Sequence, residues 1–200
     1  MLSMINQEEE YSLRDIIIDE IMLPALMMLY RVDYDNINDG VSERNICARL
    51  AFHMENIMRR YDRAHNTEIF KRYYADVEYD KMDHREQKFY ENYLHERKCM
   101  VSDLLIQSRG EKRNLLAIEM KRWKSYNKRR EDRDRLRALV SPVPENNNLN
   151  CVYGTLVGAF VIYSNEKVKI ELYENVDGRG AMNGVIAMRY DVNRRELIIA

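Results

Sequence analysis

Apolar positions in the first third of the chain recur at helical spacing. Ile16, Ile17, Ile18, Ile21, Met22, Leu26, Met27, Leu29 and Tyr30 cover more than one helix face, predicting a buried helix from Tyr11 to Tyr30 that Pro24 kinks or splits. A polar connector, Val32 to Gly40, follows. Ser42 is placed to N-cap a second helix, Glu43 to about Tyr61, with Cys47, Leu50, Met54, Ile57 and Tyr61 as its stripe. The period then drops to two. Tyr73 to Tyr79 alternates as a strand, and Val101–Ile106 and Leu115–Ile118 flank the polar break Ser108–Asn114 as a β-hairpin. Between these strands Asp80 to Lys98 is dense in charge and reads as helical. Tyr126 to Leu139 predicts a basic amphipathic helix anchored by Leu136 and Leu139, and Ser141 to Asn150 a loop. Strands are expected at Cys151–Tyr163, Val168–Tyr173, Val185–Tyr190 and Glu196–Ile199. This order of helix, strand, hairpin, helix and strand fits an α/β (α+β) fold, a central mixed sheet with a helix on each side.

Charges interrupt the apolar hairpin at three positions, Asp103, Glu119 and Lys121. If the hairpin is symmetric about Glu111, Asp103 stands opposite Glu119, and alternation puts Lys121 on the same face. An unpaired buried acid is costly. Two carboxylates beside an amine can hold a divalent metal and activate a water, the chemistry of a metal-dependent nuclease. A salt-bridged, solvated sheet face is the plainer alternative.

The formal net charge of −1 conceals an asymmetry. Residues 1–40 carry nine acids against Arg14 and Arg31, a balance of −7, whereas residues 121–137 carry nine Lys/Arg against three acids, a balance of +6. That basic stretch is a candidate phosphate-contacting surface, through Lys124, Lys128, Arg129, Arg130 and Arg133. Trp123 reads as a core residue more than a stacking one. Cys47, Cys99 and Cys151 are too scattered for a disulfide framework or a zinc site, and His53, His65, His84 and His95 lack ligand spacing. With no membrane-spanning run and no basic leader, a cytoplasmic protein is expected.

Asp103-Leu-Leu-Ile-Gln-Ser-Arg-Gly followed by Asn114-Leu-Leu-Ala-Ile-Glu-Met-Lys resembles the PD-(D/E)xK nuclease superfamily, and within it an uncharacterised bacterial branch. Val77-Glu78-Tyr79 fits the strand preceding that motif, and Asp132-Arg-Asp-Arg-Leu-Arg-Ala-Leu the helix after it. Ser102 replaces the family's proline. The resemblance spans roughly residues 42–163 and implies a restriction-endonuclease-like α-β-β-β-α-β core. It implies Asp103, Glu119 and Lys121 as catalytic residues and Glu43, on the helix before the sheet, as a further acid. Asp103, Glu119 and Glu43 would ligate Mg²⁺, or Mn²⁺ in its place. DNA is the implied substrate; the alternatives are RNA, or a nuclease-fold protein that binds nucleic acid or a partner without cutting. Residues 1–40 lie outside the resemblance. Their apolar helix is expected to be an appendage to the 41–200 domain, serving a homodimer or a partner protein.

Overall fold

The computed structural model describes residues 12–79, 81–82, 86–87, 89–91, 96–99, 101–108, 114–142 and 154–200. The hairpin turn, most of the expected loop after Ser141, and Cys151 lie outside them.

Residues 12–32 are helical throughout. Pro24 neither splits this segment nor ends it. The turns before it, Ile16–Met22, widen to a π-helix, in which the Leu23 N–H reaches back five residues to Ile18. Helix α1, Leu23–Val32, then starts with the proline in its first turn. In a regular helix the Pro24 ring would press on the Glu20 carbonyl, and the wider turn relieves that clash. A short helix α2, Tyr34–Asn38, leads to α3, Glu43–His65. Ser42 caps α3 by accepting the Asn45 N–H, as the sequence predicts, and left-handed Asn66 ends it.

Seven strands form one sheet: β1 Tyr73–Tyr79, β2 Ser102–Ser108, β3 Asn114–Arg122, β4 Val157–Tyr163, β5 Lys167–Val176, β6 Arg179–Asp191 and β7 Glu196–Ile199. They lie side by side in chain order. All neighbours are antiparallel except β3 and β4, which run parallel because helix α4, Arg129–Val140, crosses between them. The sheet is therefore mixed and has helices on both faces.

Helices α1 and α3 cover one face. Ile17, Ile21, Leu26 and Tyr30 share a single core with Leu50 and Met54 of α3 and with Leu104, Ile118 and Val161 of the sheet. This corrects the expected boundary at residue 40. The N-terminal helix is apolar on several sides because it is wedged into this core, and not because a partner covers it. Shortening Leu26 to Ala is expected to lower stability by about 2–5 kcal/mol in urea titrations, and deleting residues 1–40 to abolish cooperative unfolding. A well-folded 41–200 fragment would restore the appendage reading.

Helix α4 packs on the other face through Leu136, Leu139 and Val140, against Leu105, Ala117, Phe160 and Tyr173. Two glycines let it approach. A side chain at Gly158 would press on Val140, and one at Gly180 would sit 1.9 Å from the Arg137 carbonyl oxygen. Among the described residues no helix is long and apolar enough to cross a membrane.

Several elements differ from expectation; strand β4, expected from Cys151, is strand only from Val157 among the described residues. The described residues of Asp80–Lys98 form two short antiparallel ribbons, Lys81–Met82 with Glu86–Gln87 and Phe89–Glu91 with Arg97–Cys99, instead of a helix. Charge-rich composition favours a helix, and strand pairing overrides that weak preference. Helix α4 begins three residues later than Tyr126, after Lys128 in a left-handed conformation. Strand β6 starts well before Val185, because Gly180, Asn183 and Gly184 disguise its first half, where the ladder shifts between Met182 and Gly184.

Candidate active site

The central hairpin pairs Leu104 with Ile118, Leu105 with Ala117 and Ile106 with Leu116 before a bulge shifts the register. One further step along the same ladder sets Asp103 against Glu119. Alternation sends Asp103, Glu119 and Lys121 to the face of Leu105 and Ala117, which α4 covers. The sequence thus located the face and the partners, although the hairpin is not symmetric along its whole length.

Asp103 is partly buried, and its Oδ2 accepts the Met120 N–H at 2.7 Å. Burial raises the Asp103 carboxyl above its ordinary pKa, against the pull of that N–H and of Lys121. Glu119 is 0% exposed. Both of its oxygens are held by one side chain that the sequence reading placed only within the basic stretch: Arg135 of α4 donates from Nε to Oε1 at 2.9 Å and from Nη2 to Oε2 at 2.8 Å. Burial pushes the Glu119 carboxyl up, and the Arg135 fork opposes it. The same Nη2 also bonds Asp132 Oδ1.

Asp132 is the second omission. It is only 1% exposed, and its Oδ2 has no hydrogen-bond partner. That oxygen lies 3.7 Å from Lys121 Nζ. Burial raises the Asp132 carboxyl, while Arg135 and Lys121 oppose the shift. Both α4 residues were detectable in principle. Asp132 precedes Leu136 by four residues, and Arg135 precedes Leu139 by four, so helical spacing puts the pair on the apolar stripe. A charged pair on a buried stripe signals a partner across the interface.

Glu43 reaches the cluster from the first turn of α3. Its Oε2 accepts from Lys121 Nζ at 3.2 Å, and its Oε1 from the Arg122 N–H at 3.1 Å. It therefore caps the end of β3 as well as pairing with the lysine. Burial pulls the Lys121 ammonium down, but Asp132, Glu43 and Asp103 outweigh it and hold the group above its ordinary value. At neutral pH Lys121 is then a cation that donates hydrogen bonds and cannot take a proton. Glu78 leaves the β1–β2 ladder opposite Asp103, with φ 52°, and pairs with Arg44 at 3.2 Å. Cys47 lies buried one turn beyond Glu43, and burial pushes its thiol far up, so it offers no thiolate nucleophile.

The basic residues divide into two groups. Arg129 donates to the carbonyls of Ser125, Trp123 and Arg122, tying down the loop after β3. Arg133 forks onto Glu171 of β5 at 2.8 and 3.0 Å and lies over the Phe160 ring. The sequence reading set these two against phosphate; in the structure their heads are taken up within the fold, as long arginine stems pack while their heads find acids or carbonyls. Lys124 and Lys128 are exposed and line an open depression of about 490 Å³ together with Glu43, Lys121 and Tyr126. Arg130 is exposed at the start of α4. Trp123 packs partly buried beside the α4 core, with Lys167 Nζ 4.2 Å from its ring, as a core residue would.

The donors suit a hard cation, being carboxylate oxygens in a partly enclosed place, and the orphaned Asp132 Oδ2 is an acceptor that a cation would satisfy. The carboxylates do not yet converge. Among the described residues no group of three or more His, Cys, Asp or Glu is arranged to hold a metal, and Arg135 takes both Glu119 oxygens. No protein-family model, curated protein or solved structure matches this chain.

Proposed function

We propose that this protein is a metal-dependent phosphodiesterase, a DNA endonuclease with a restriction-endonuclease-like core. One observation carries the reading: Asp103 and the Glu119-Met-Lys121 triplet meet on one face of adjacent strands, with Glu43 and Asp132 around the lysine. The element order α3-β1-β2-β3-α4-β4 is also the order expected of that core.

Asp103 and Glu119 would hold Mg²⁺, with Glu43 or Asp132 completing the set through water. The bound ion supplies charge for the phosphate and a water of lowered pKa. The chain's own residues do the rest. The Met120 N–H fixes Asp103 Oδ2, so the carboxylate meets its ligand in one orientation. Lys121, held protonated by its acidic neighbours, donates to the attacking water or to the phosphoryl oxygens as negative charge develops there. The phosphate chain on either side lies along Lys124 and Lys128.

Arg135 favours a second reading. A guanidinium forked onto Glu119 neutralises it without any metal, as it would in a nuclease-fold protein that binds nucleic acid or a partner and does not cut. Incubation with supercoiled plasmid and with labelled RNA, in Mg²⁺, in Mn²⁺ and in EDTA, separates the two. Metal-dependent nicking that EDTA abolishes is expected. Intact DNA and RNA in both metals would favour the binding protein, and cleavage confined to RNA would replace the substrate.

Binding should run through the exposed lysines. Lys124→Glu with Lys128→Glu is expected to weaken duplex binding and to reduce the log–log salt slope by about 0.9 per lost phosphate contact. Unfolding midpoints should not move, because neither lysine is buried. The same change at Arg129 or Arg133 would confound binding with folding. An unaltered salt slope in the lysine double variant would move the phosphate path elsewhere.

A further inference from the structure

We propose that Tyr126 is a stacking platform for one unpaired nucleobase beside the catalytic cluster, which makes a single-stranded stretch, an overhang or a flap the preferred ligand. The proposal rests on reading that cluster as a phosphodiester site.

Tyr126 is 72% exposed, a large aromatic ring in water. A loop residue of this kind would ordinarily wave freely, and this one is braced. The Arg129 guanidinium carbon lies 4.6 Å from the ring centroid. Arg129 is itself fixed by the carbonyls of Arg122, Trp123 and Ser125 on both sides of the turn, and the Ser125 N–H closes that turn onto the Arg122 carbonyl. One ring face therefore rests on a cation while the ring stays open to solvent. An aromatic ring backed by a cation and open on its other side is a surface on which a base can stack, whichever base it is.

The surroundings name the ligand. Tyr126 lines the same depression as Lys121, Lys124, Lys128 and Glu43. It is an open depression of about 490 Å³, across which an extended strand can lie. Three ammonium groups against one carboxylate suit a phosphate-bearing ligand, and the ring suits a planar one. A nucleotide combines the two. Bases inside a duplex are already stacked and offer no free face, so the platform takes a base only where the strand is unpaired or pulled open. Sugar identity is not specified by these groups, and DNA and RNA single strands share the required chemistry.

Fluorescence anisotropy in EDTA tests this without cleavage, using labelled oligodeoxyuridylate and oligouridylate of about 15 nucleotides, the upper range of a single-strand site, and a duplex of the same length. Tyr126→Ala is expected to weaken both single strands by about 5- to 150-fold, the equivalent of about 1–3 kcal/mol per stacked base, to leave duplex affinity unchanged, and to be rescued by Tyr126→Phe and Tyr126→Trp. The tighter of the two oligonucleotides identifies the preferred sugar. Unchanged single-strand affinity, equal losses on single strand and duplex, or no rescue by Phe would each overturn the platform. The two readings fail separately. Binding of single strands through Tyr126 in a protein that cuts nothing would sink the nuclease and leave the platform. Metal-dependent cutting by a Tyr126→Ala protein whose single-strand affinity is unchanged would do the reverse.

Discussion

Asp103→Asn is expected to reduce cleavage by about 10³-fold or more while the protein folds as before. The substitution is nearly isosteric, and an asparagine oxygen can still accept the Met120 N–H that Asp103 Oδ2 accepts at 2.7 Å. What disappears is one negative charge facing the proposed metal. Metal-supported stabilisation of the transition state amounts to several kcal/mol, and each 1.36 kcal/mol is about tenfold in rate. Lys121→Met should give a loss of similar order by removing the donor to the developing charge. It also removes the cation between Glu43 and Asp132, leaving Asp132 with Arg135 alone, so its folding must be measured alongside. Plasmid nicking under saturating Mg²⁺, paired with urea unfolding, checks both variants. Undiminished nicking by Asp103→Asn would remove Asp103 from the site.

The second large effect is on stability. Arg135→Gln should destabilise the metal-free protein by up to about 3–5 kcal/mol once the pH is well above 8, where it strands a fully buried carboxylate. The sign follows from linkage. Burial raises the folded Glu119 carboxyl to about 8 from an ordinary 4.5 even with Arg135 attached. Its favourable contribution is complete below about 4.5 and is lost as pH climbs through about 8. Without Arg135 the folded value rises further, so the variant's deficit should stay level below about pH 7 and grow as the pH climbs from about 7 to about 9.5. Urea titrations across that interval measure it. Adding Glu119→Gln to Arg135→Gln should recover part of the loss at about pH 9.5, since no buried charge remains. A deficit equal at about pH 6 and about pH 9.5, on either side of the folded Glu119 value, would mean that Arg135 acts by packing alone.

These two variants fall on opposite sides of what the sequence made visible. Asp103, Glu119 and Lys121 stood out because each interrupts an apolar strand at a defined alternation, and a two-residue period translates spacing into face without knowledge of the fold. The Ser42 cap and Glu43 were legible for a similarly local reason. Arg135 and Asp132 were hidden among the five arginines and three acids of residues 129–137. In such a segment net charge suggests a ligand-facing surface, and only the tertiary packing reveals that Arg133 and Arg135 point at Glu171 and Glu119. Residues 16–32 posed the converse problem. Apolar coverage on several sides states that a helix is buried, not what buries it, and the cover proved to be the chain's own α3 and sheet. The Asp80–Lys98 ribbons were misread because local propensity is small beside the gain from strand pairing.

The central claim is that Asp103 and Glu119 share a divalent cation. Crystals grown with Mn²⁺, with anomalous differences collected at the manganese edge, test it directly. The account predicts a peak about 2.0–2.2 Å from a carboxylate oxygen of each residue, the spacing of a small hard cation, with the Arg135 guanidinium withdrawn from at least one Glu119 oxygen. A map without that peak, with the Arg135 fork still closed on Glu119 at saturating Mn²⁺, would contradict it.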